Sequence, residues 1–449
     1  MNHTAAVPRI LIAGTGSGCG KTTVTCAVLK ALVSKKKKVG AFKCGPDYID
    51  TMFHAKITGT PCSNLDPFFF DADTLKYILA KNGGNNEINI IEGVMGYYDG
   101  LGMDGTASTY EVSKKTDSPV ALVVGAKGAS LSILAVIHGF LDFYPDNGIC
   151  GVILNNCSPM IYPMLADEIR KRFGERIRPL GFLPPMSGSS LESRHLGLVT
   201  AAEVKDLDEK LERLSQKAQE TIDLEGLLAL ANAAETLSFA PPEIPHCNRG
   251  ARIAVARDKA FCFYYEDSLD VLREMGAELV PFSPLRGAAL PENIQGLYLG
   301  GGYPELYKEQ LSENRSMLES IRRAVTNGLP CIAECGGFMY LTRSIAGFEM
   351  AGALPGNCYD NKKLTRFGYI TLTAQRDNLL CKAGEGIRAH EFHHWDCEEN
   401  GDGFKAEKPN GRSWDCVQAN EHLYAGFPHF HFLANPAFAE RFLQAAGAQ

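Results

Sequence analysis

A short apolar run at 9–13 is followed at once by Gly14-Thr15-Gly16-Ser17-Gly18-Cys19-Gly20-Lys21-Thr22-Thr23 and then by a helical run at 24–32. No other part of the chain leaves so few folds open. A strand that passes through a glycine-rich turn into a helix is the opening half of a strand–helix–strand crossover, which calls for a mainly parallel sheet with helices on its faces. The turn carries chemistry as well. Its glycines let backbone N–H groups converge on phosphate oxygens, and the helix N-terminus adds a positive dipole. Lys21 would reach the β- and γ-phosphates of a nucleotide, and Thr22 would ligate Mg2+. Five residues separate Gly14 from Gly20, a slightly longer loop than the usual spacing.

The N-terminal half continues the alternation. Strands are expected at 38–43, 88–92, 120–124 and 151–155, and most of these runs are apolar on both faces, as strands covered by helices on each side must be. Two acidic segments stand just after strand ends, Lys43-Cys-Gly-Pro-Asp47-Tyr48-Ile-Asp50 and Glu92-Gly-Val-Met-Gly-Tyr-Tyr-Asp99. Ligands of open parallel sheets bind beyond the carboxyl ends of the strands, so these groups fall beside the phosphates. Asp47 and Glu92 join Thr22 as candidate Mg2+ ligands. Lys43, Tyr48, Asp50 and Asp99 are candidates for contacting or activating a second substrate, and spacing alone does not divide the acids between the two tasks.

A charged helical stretch at 203–237 carries Leu207, Leu211 and Leu214 as one narrow stripe that should pack on a surface. The segment 239–250 then has three prolines and no periodicity, which reads as a linker between a phosphate-loop domain at 1–238 and a second domain at 251–449. Strands at 252–256, 279–282, 296–299 and 331–333 alternate with helices there, and a β-rich section begins at Arg366. The fold class expected is therefore α/β, with two doubly wound domains.

The second domain holds another reactive turn. In Cys331-Ile-Ala-Glu334-Cys335-Gly336-Gly337-Phe-Met, an apolar strand meets a cysteine and two glycines before a helical run. This arrangement exposes a nucleophile at the top of a sheet, and the helix N-terminus should lower the thiol pKa. Leu299-Gly300-Gly301-Gly302-Tyr-Pro-Glu305 ends an earlier strand, so Gly301, Gly302 and Gly336 could supply oxyanion-hole N–H groups. The base should be a histidine: His429 first, with His431 as the reserve, the two sharing one face of an alternating strand.

Composition narrows the classes. A formal charge of −7 lacks the basic footprint of a nucleic-acid binder. The first apolar run is too short for a signal or membrane segment, so a cytoplasmic protein is expected. The fourteen cysteines include no C-x-x-C pair and read as small buried hydrophobes, Cys335 excepted. His390-Glu-Phe-His393-His394 matches the zinc-protease signature H-E-x-x-H, but its aromatic, alternating surroundings suit a strand, whereas the motif needs a helix.

Taken in order, these segments, with Ser193-Arg194-His195-Leu-Gly-Leu198 and His429-Phe-His431-Phe432, resemble the cobyrinic acid a,c-diamide synthase family along essentially the whole chain. Ala389 stands where that family usually has glycine. The resemblance implies an ATP-binding synthetase domain joined to a class I glutamine amidotransferase domain. It also implies that ATP, Mg2+ and L-glutamine are used to convert two carboxylates of a corrin-type tetrapyrrole into amides, through an acyl phosphate and ammonia released at Cys335. Asn155 matches a position that contacts adenine in the dethiobiotin synthetases, and Arg194 and His195 could meet the anionic macrocycle. A Cys–His dyad is implied, since no acid follows His429 directly. No nucleic acid or membrane partner is expected, and a homodimer is compatible with the sequence. Nickel-sirohydrochlorin and hydrogenobyrinic acid remain open as alternative substrates. A ParA-like ATPase switch and a metalloprotease are the readings from other classes.

Overall fold

Seven strands whose residues are almost all buried form the sheet of the first unit, in the order Ser63–Leu65, Val39–Cys44, Ile88–Glu92, Arg9–Gly14, Val120–Gly125, Ile149–Asn155 and Arg178–Leu183. Every neighbouring pair is parallel. The computed structural model describes residues 2–186, 206–246 and 250–447. Arg194 and His195 lie outside the described residues. The chain divides into two units, Met1–Pro242 and Glu243–Gln449.

The strands at the two sheet edges, Ser63–Leu65 and Arg178–Leu183, were not expected from the sequence. The first is short and polar, and the second begins with Arg178 and contains Pro179 and Gly181, so neither shows an apolar run. The charged stretch after Asp206 forms two helices, Leu207–Thr221 and Leu224–Asn232, followed by the strand Leu237–Phe239, which pairs with His3–Ala5. The leucine stripe does bury. Leu207, Leu211, Leu214 and Ala218 join the helix Lys21–Ser34 and the central strands in one apolar core. That core fixes the helix that carries Lys21 and Thr22.

In the second unit a sheet of six strands runs Glu278–Phe282, Arg252–Ala256, Gly296–Leu299, Cys331–Glu334, Leu423–Gly426 and Gln418–Asn420, parallel except for the last pair. A second sheet is built around the long antiparallel pair Asn357–Ala374 and Gly386–Cys397. The β-rich section thus begins ahead of Arg366. Its first residues, among them Asp360, Lys362 and Lys363, are polar and largely exposed, which hid the strand from a pattern search. Both catalytic-looking turns stand at the carboxyl ends of parallel strands, Gly14 in one unit and Glu334 in the other.

Candidate functional sites

Gly14 is the last residue of its strand, and its backbone is held on both sides: Thr15 N–H donates to the Val123 carbonyl at 3.2 Å, and Tyr97 N–H to the Gly14 carbonyl at 2.8 Å. The loop then folds back so tightly that a Cβ on Gly14 would meet Cys19 Sγ at 2.5 Å and the Lys21 stem at 2.7 Å. Lys21 is buried and donates from Nζ to the Gly16 carbonyl at 3.1 Å, the nearest acceptor in a loop built for anions. Thr23 follows in the same helix, Gly18 and Gly20 have positive φ, and Asn155 Nδ2 donates to the Cys19 carbonyl at 2.9 Å. Asn155 thus braces the loop. A cavity of about 380 Å3 opens beside it, lined in part by Thr15, Gly16, Gly18, Ser132 and Val136.

The acids separate by what they hold. Glu92 is fully buried and engaged at both oxygens: Oε1 accepts from Thr22 Oγ1 at 2.6 Å and Lys43 Nζ at 3.1 Å, and Oε2 lies 2.6 Å from His54 Nε2. Burial opposes its charge, but Lys43, His54 and Thr22 outweigh that and hold the carboxyl far below the ordinary range. Lys43 also pairs with Asp50 Oδ2 at 2.9 Å. Its two acids share it unequally. Burial pushes Asp50 up to about 6 against the pull of Lys43, so Glu92 carries the firmer charge. Burial works against the Lys43 ammonium, yet Asp50 and Glu92 together raise it well above its usual value. Asp47 Oδ1 caps the helix Ile49–Thr58 through the N–H groups of Ile49 at 2.8 Å and Asp50 at 2.9 Å, while Asp99 Oδ2 accepts from Gly96 N at 2.8 Å. Tyr48 is buried at the start of the same helix. His54, four residues after Asp50 on that helix, was missed in the sequence, although the spacing puts both side chains on one face.

Among the described residues no three Asp, Glu, His or Cys side chains converge to cage a metal ion. Mg2+ needs no such cage, because it keeps water and phosphate oxygens and takes only one or two protein oxygens. The hydroxyl of Thr22 against the Glu92 carboxylate supplies a pair of hard oxygens of the kind that fits it.

In the second unit, Cys335 takes φ 49° and ψ −103° between the strand Cys331–Glu334 and the helix Gly336–Leu341. Such a backbone is strained by roughly 1–3 kcal/mol for a residue with a side chain. Two bonds hold it, Cys335 N–H to the Gly426 carbonyl at 2.7 Å and Met339 N–H to the Cys335 carbonyl at 2.9 Å. The expected drop in thiol pKa is not found. Burial pushes the Cys335 thiol up, the charge of Glu305 adds to this, and the Gly336 N–H pulls only partly back. The helix behind the turn has a single complete turn and a dry setting, so its dipole loses to desolvation.

The loop Gly300–Gly302 joins the cysteine turn to the histidine. A Cβ on Gly301 would lie 2.5 Å from His429 Cε1, and one on Gly336 would lie 3.1 Å from Gly302 N. Only glycine allows these approaches. His429 is buried, and its Nδ1 lies 2.9 Å from Glu334 Oε2, whose other oxygen accepts from Tyr298 OH at 2.9 Å. Burial, with His393 adding, pushes His429 down to about 3, so its ring is neutral. Burial pushes Glu334 up to about 8, with Tyr298 pulling the other way. His431 takes a different place. The strand is only His429–Phe430, and His431 Nδ1 accepts from Leu433 N at 3.1 Å while its ring lies 5.0 Å from that of Tyr265. The two histidines therefore do not share a strand face. Glu334 was missed in the sequence because an acid partner was sought after the histidine; a carboxylate ending the buried strand Cys331–Glu334 was the available signal.

His390 to His394 lie in the strand Gly386–Cys397, as their alternation requires. Glu391 Oε2 lies 3.1 Å from His393 Nε2, and the His393 ring stacks on Phe427 at 4.0 Å. The His390 ring is 5.4 Å from that of His429. The segment forms a wall beside His429, and the helix that a zinc protease needs is replaced by a strand.

Residues 10–199 match the family model of the CobQ/CobB/MinD/ParA nucleotide binding domain, and residues 252–437 that of the CobB/CobQ-like glutamine amidotransferase domain. The chain is 42% identical over 441 residues to the cobyrinate a,c-diamide synthase of Clostridium acetobutylicum, covering 97% of this chain and 99% of that protein. It is 40% identical over 439 residues to that of Listeria monocytogenes, with 95% and 97% covered. For that of Thermoplasma volcanium the values are 38% over 449 residues, with 98% and 97% covered.

Proposed function

The chain belongs to the cobyrinate a,c-diamide synthase family, and from that premise we propose that it amidates the a and c side-chain carboxylates of cobyrinic acid, using ATP and L-glutamine. The observation that supports this most strongly is that the likeness to a relative of that name extends over 97% of this chain and so spans both candidate centres.

At the first centre, the phosphate loop and Lys21 hold the triphosphate of ATP. Thr22 and Glu92, with Asp47, are the oxygens that would hold Mg2+, which neutralises charge on the transferring phosphate. A substrate carboxylate oxygen attacks the γ-phosphorus, giving an acyl phosphate and ADP. Lys43, buried between Glu92 and its ion-pair partner Asp50, is the cation that would orient that carboxylate, and His54 fixes Glu92 from behind. Ammonia then adds to the acyl carbon, and phosphate leaves with the bonding electrons.

At the second centre, Cys335 Sγ attacks the glutamine carboxamide while His429 takes the thiol proton. The N–H groups of Gly301, Gly302 and Gly336 are the donors for the oxyanion. His429 returns the proton to the departing nitrogen, so ammonia leaves and water later hydrolyses the thioester to glutamate. Glu334 is the positioning residue that holds His429 Nδ1. His431 acts as a turn cap in this scheme.

The test is glutamine-dependent ADP release by the purified chain with cobyrinic acid, nickel-sirohydrochlorin or hydrogenobyrinic acid. Turnover with cobyrinic acid and a product in which two carboxyl groups have become carboxamides is expected. Turnover confined to another macrocycle would move the substrate assignment, and none with any of the three would overturn the synthetase reading.

A further inference from the structure

One acid beside Cys335 has no part in the scheme above. Glu305 lies in the 3-10 turn Pro304–Tyr307, directly after the Gly300–Gly302 loop. The turn is pressed onto the nucleophile: a Cβ on Gly336 would meet Pro304 Cδ at 2.8 Å. Glu305 is the charge that acts most strongly on the Cys335 thiol, ahead of Glu391 and Glu334.

Among the described residues no cation forms an ion pair with its carboxylate. Lys308, the cation that acts on it, donates instead to the Glu305 backbone carbonyl at 3.2 Å and sits over the Phe348 ring at 5.5 Å. Asp360 adds a like charge, and burial raises the carboxyl to about 7. A half-buried acid in this state gains most from a mobile cation that arrives with a ligand. L-Glutamine carries one such group, its α-ammonium, at the end of the molecule away from the carboxamide.

We propose that Glu305 binds the α-ammonium of L-glutamine and so selects the amino acid over carboxamides that lack this group. This rests on the glutaminase reading of Cys335. It also couples recognition to reactivity. Once paired, Glu305 no longer opposes the thiolate, so the correct substrate itself eases ionisation of Cys335.

The experiment compares kcat/KM of the full chain for L-glutamine and for glutaramate, the same carboxamide with hydrogen in place of the amino group. The wild-type protein should favour L-glutamine by about 10²-fold, the range for losing a buried charge partner. In Glu305→Gln the ratio should fall toward one, with the change mainly in KM, and Glu305→Asp, which keeps the charge at a shorter reach, should give an intermediate ratio. An unchanged ratio in Glu305→Gln, or equal loss of both substrates in both variants, overturns the assignment. Wild-type protein that hydrolyses neither substrate overturns the glutaminase reading first and this inference with it.

Discussion

At the scale of single residues, buried acids decide what the bases do. Glu92 holds Thr22, Lys43 and His54 at once, and Glu334 holds His429 while accepting from Tyr298. The Glu334 carboxyl, raised to about 8, is protonated below that pH and ionised above it. The carboxylate accepts the Nδ1–H of a neutral His429 and leaves Nε2 as the basic nitrogen, whereas the protonated acid can donate to Nδ1 and favour the other tautomer. Glutaminase kcat should therefore rise with pH through about 8 in the wild-type protein, measured by glutamate release. Glu334→Gln should flatten that limb and lower kcat by roughly 10²-fold or more, since an amide cannot fix the tautomer. A limb that persists in Glu334→Gln would remove Glu334 from the positioning role. The tight turn at Cys335 was legible in the sequence from its glycines, but the raised thiol pKa was not, because desolvation comes from residues far along the chain.

At the scale of elements, the helix Leu207–Thr221 shows how packing serves the chemistry. Its leucine stripe lies against the helix Lys21–Ser34, so the two helices share one core with the strand that leads into the phosphate loop. Leu214 is fully buried there. Leu214→Ala should lower stability by about 2–5 kcal/mol through lost burial and a residual cavity, seen as a shifted urea midpoint. Glu209→Ala on the same helix, whose side chain pairs with Arg213 at the surface, should change it by less than about 0.5 kcal/mol. Elements with strong local signals were read directly: Ile88–Glu92, Arg252–Ala256 and Gly296–Leu299 have the bounds their apolar runs imply. Edge strands such as Arg178–Leu183 lacked that signal, because an edge has one neighbour and tolerates proline, glycine and charge.

At the scale of the whole molecule, the two candidate centres lie in two separate units. Each unit has its own sheet and core, so damage at one centre should leave the other folded. Lys21→Ala should abolish amidation with either ammonia or glutamine while glutamate release persists. Cys335→Ser should abolish glutamine-dependent amidation and retain the reaction with ammonium salts, both followed by ADP release. Loss of glutaminase in Lys21→Ala would show that the second centre depends on the first. The sequence by itself determined the two mainly parallel sheets, the glycine-rich turn at Gly14–Thr23 and the tight turn at Cys335, because continuous apolar runs and glycine act through neighbours a few residues away. Only the tertiary structure decided that Glu334 holds His429, 95 residues away, and that Glu92 gathers Thr22 and His54 from 70 and 38 residues away. Such partners meet because folding brings strand ends together, and a buried carboxylate then takes whichever donors that packing leaves within reach.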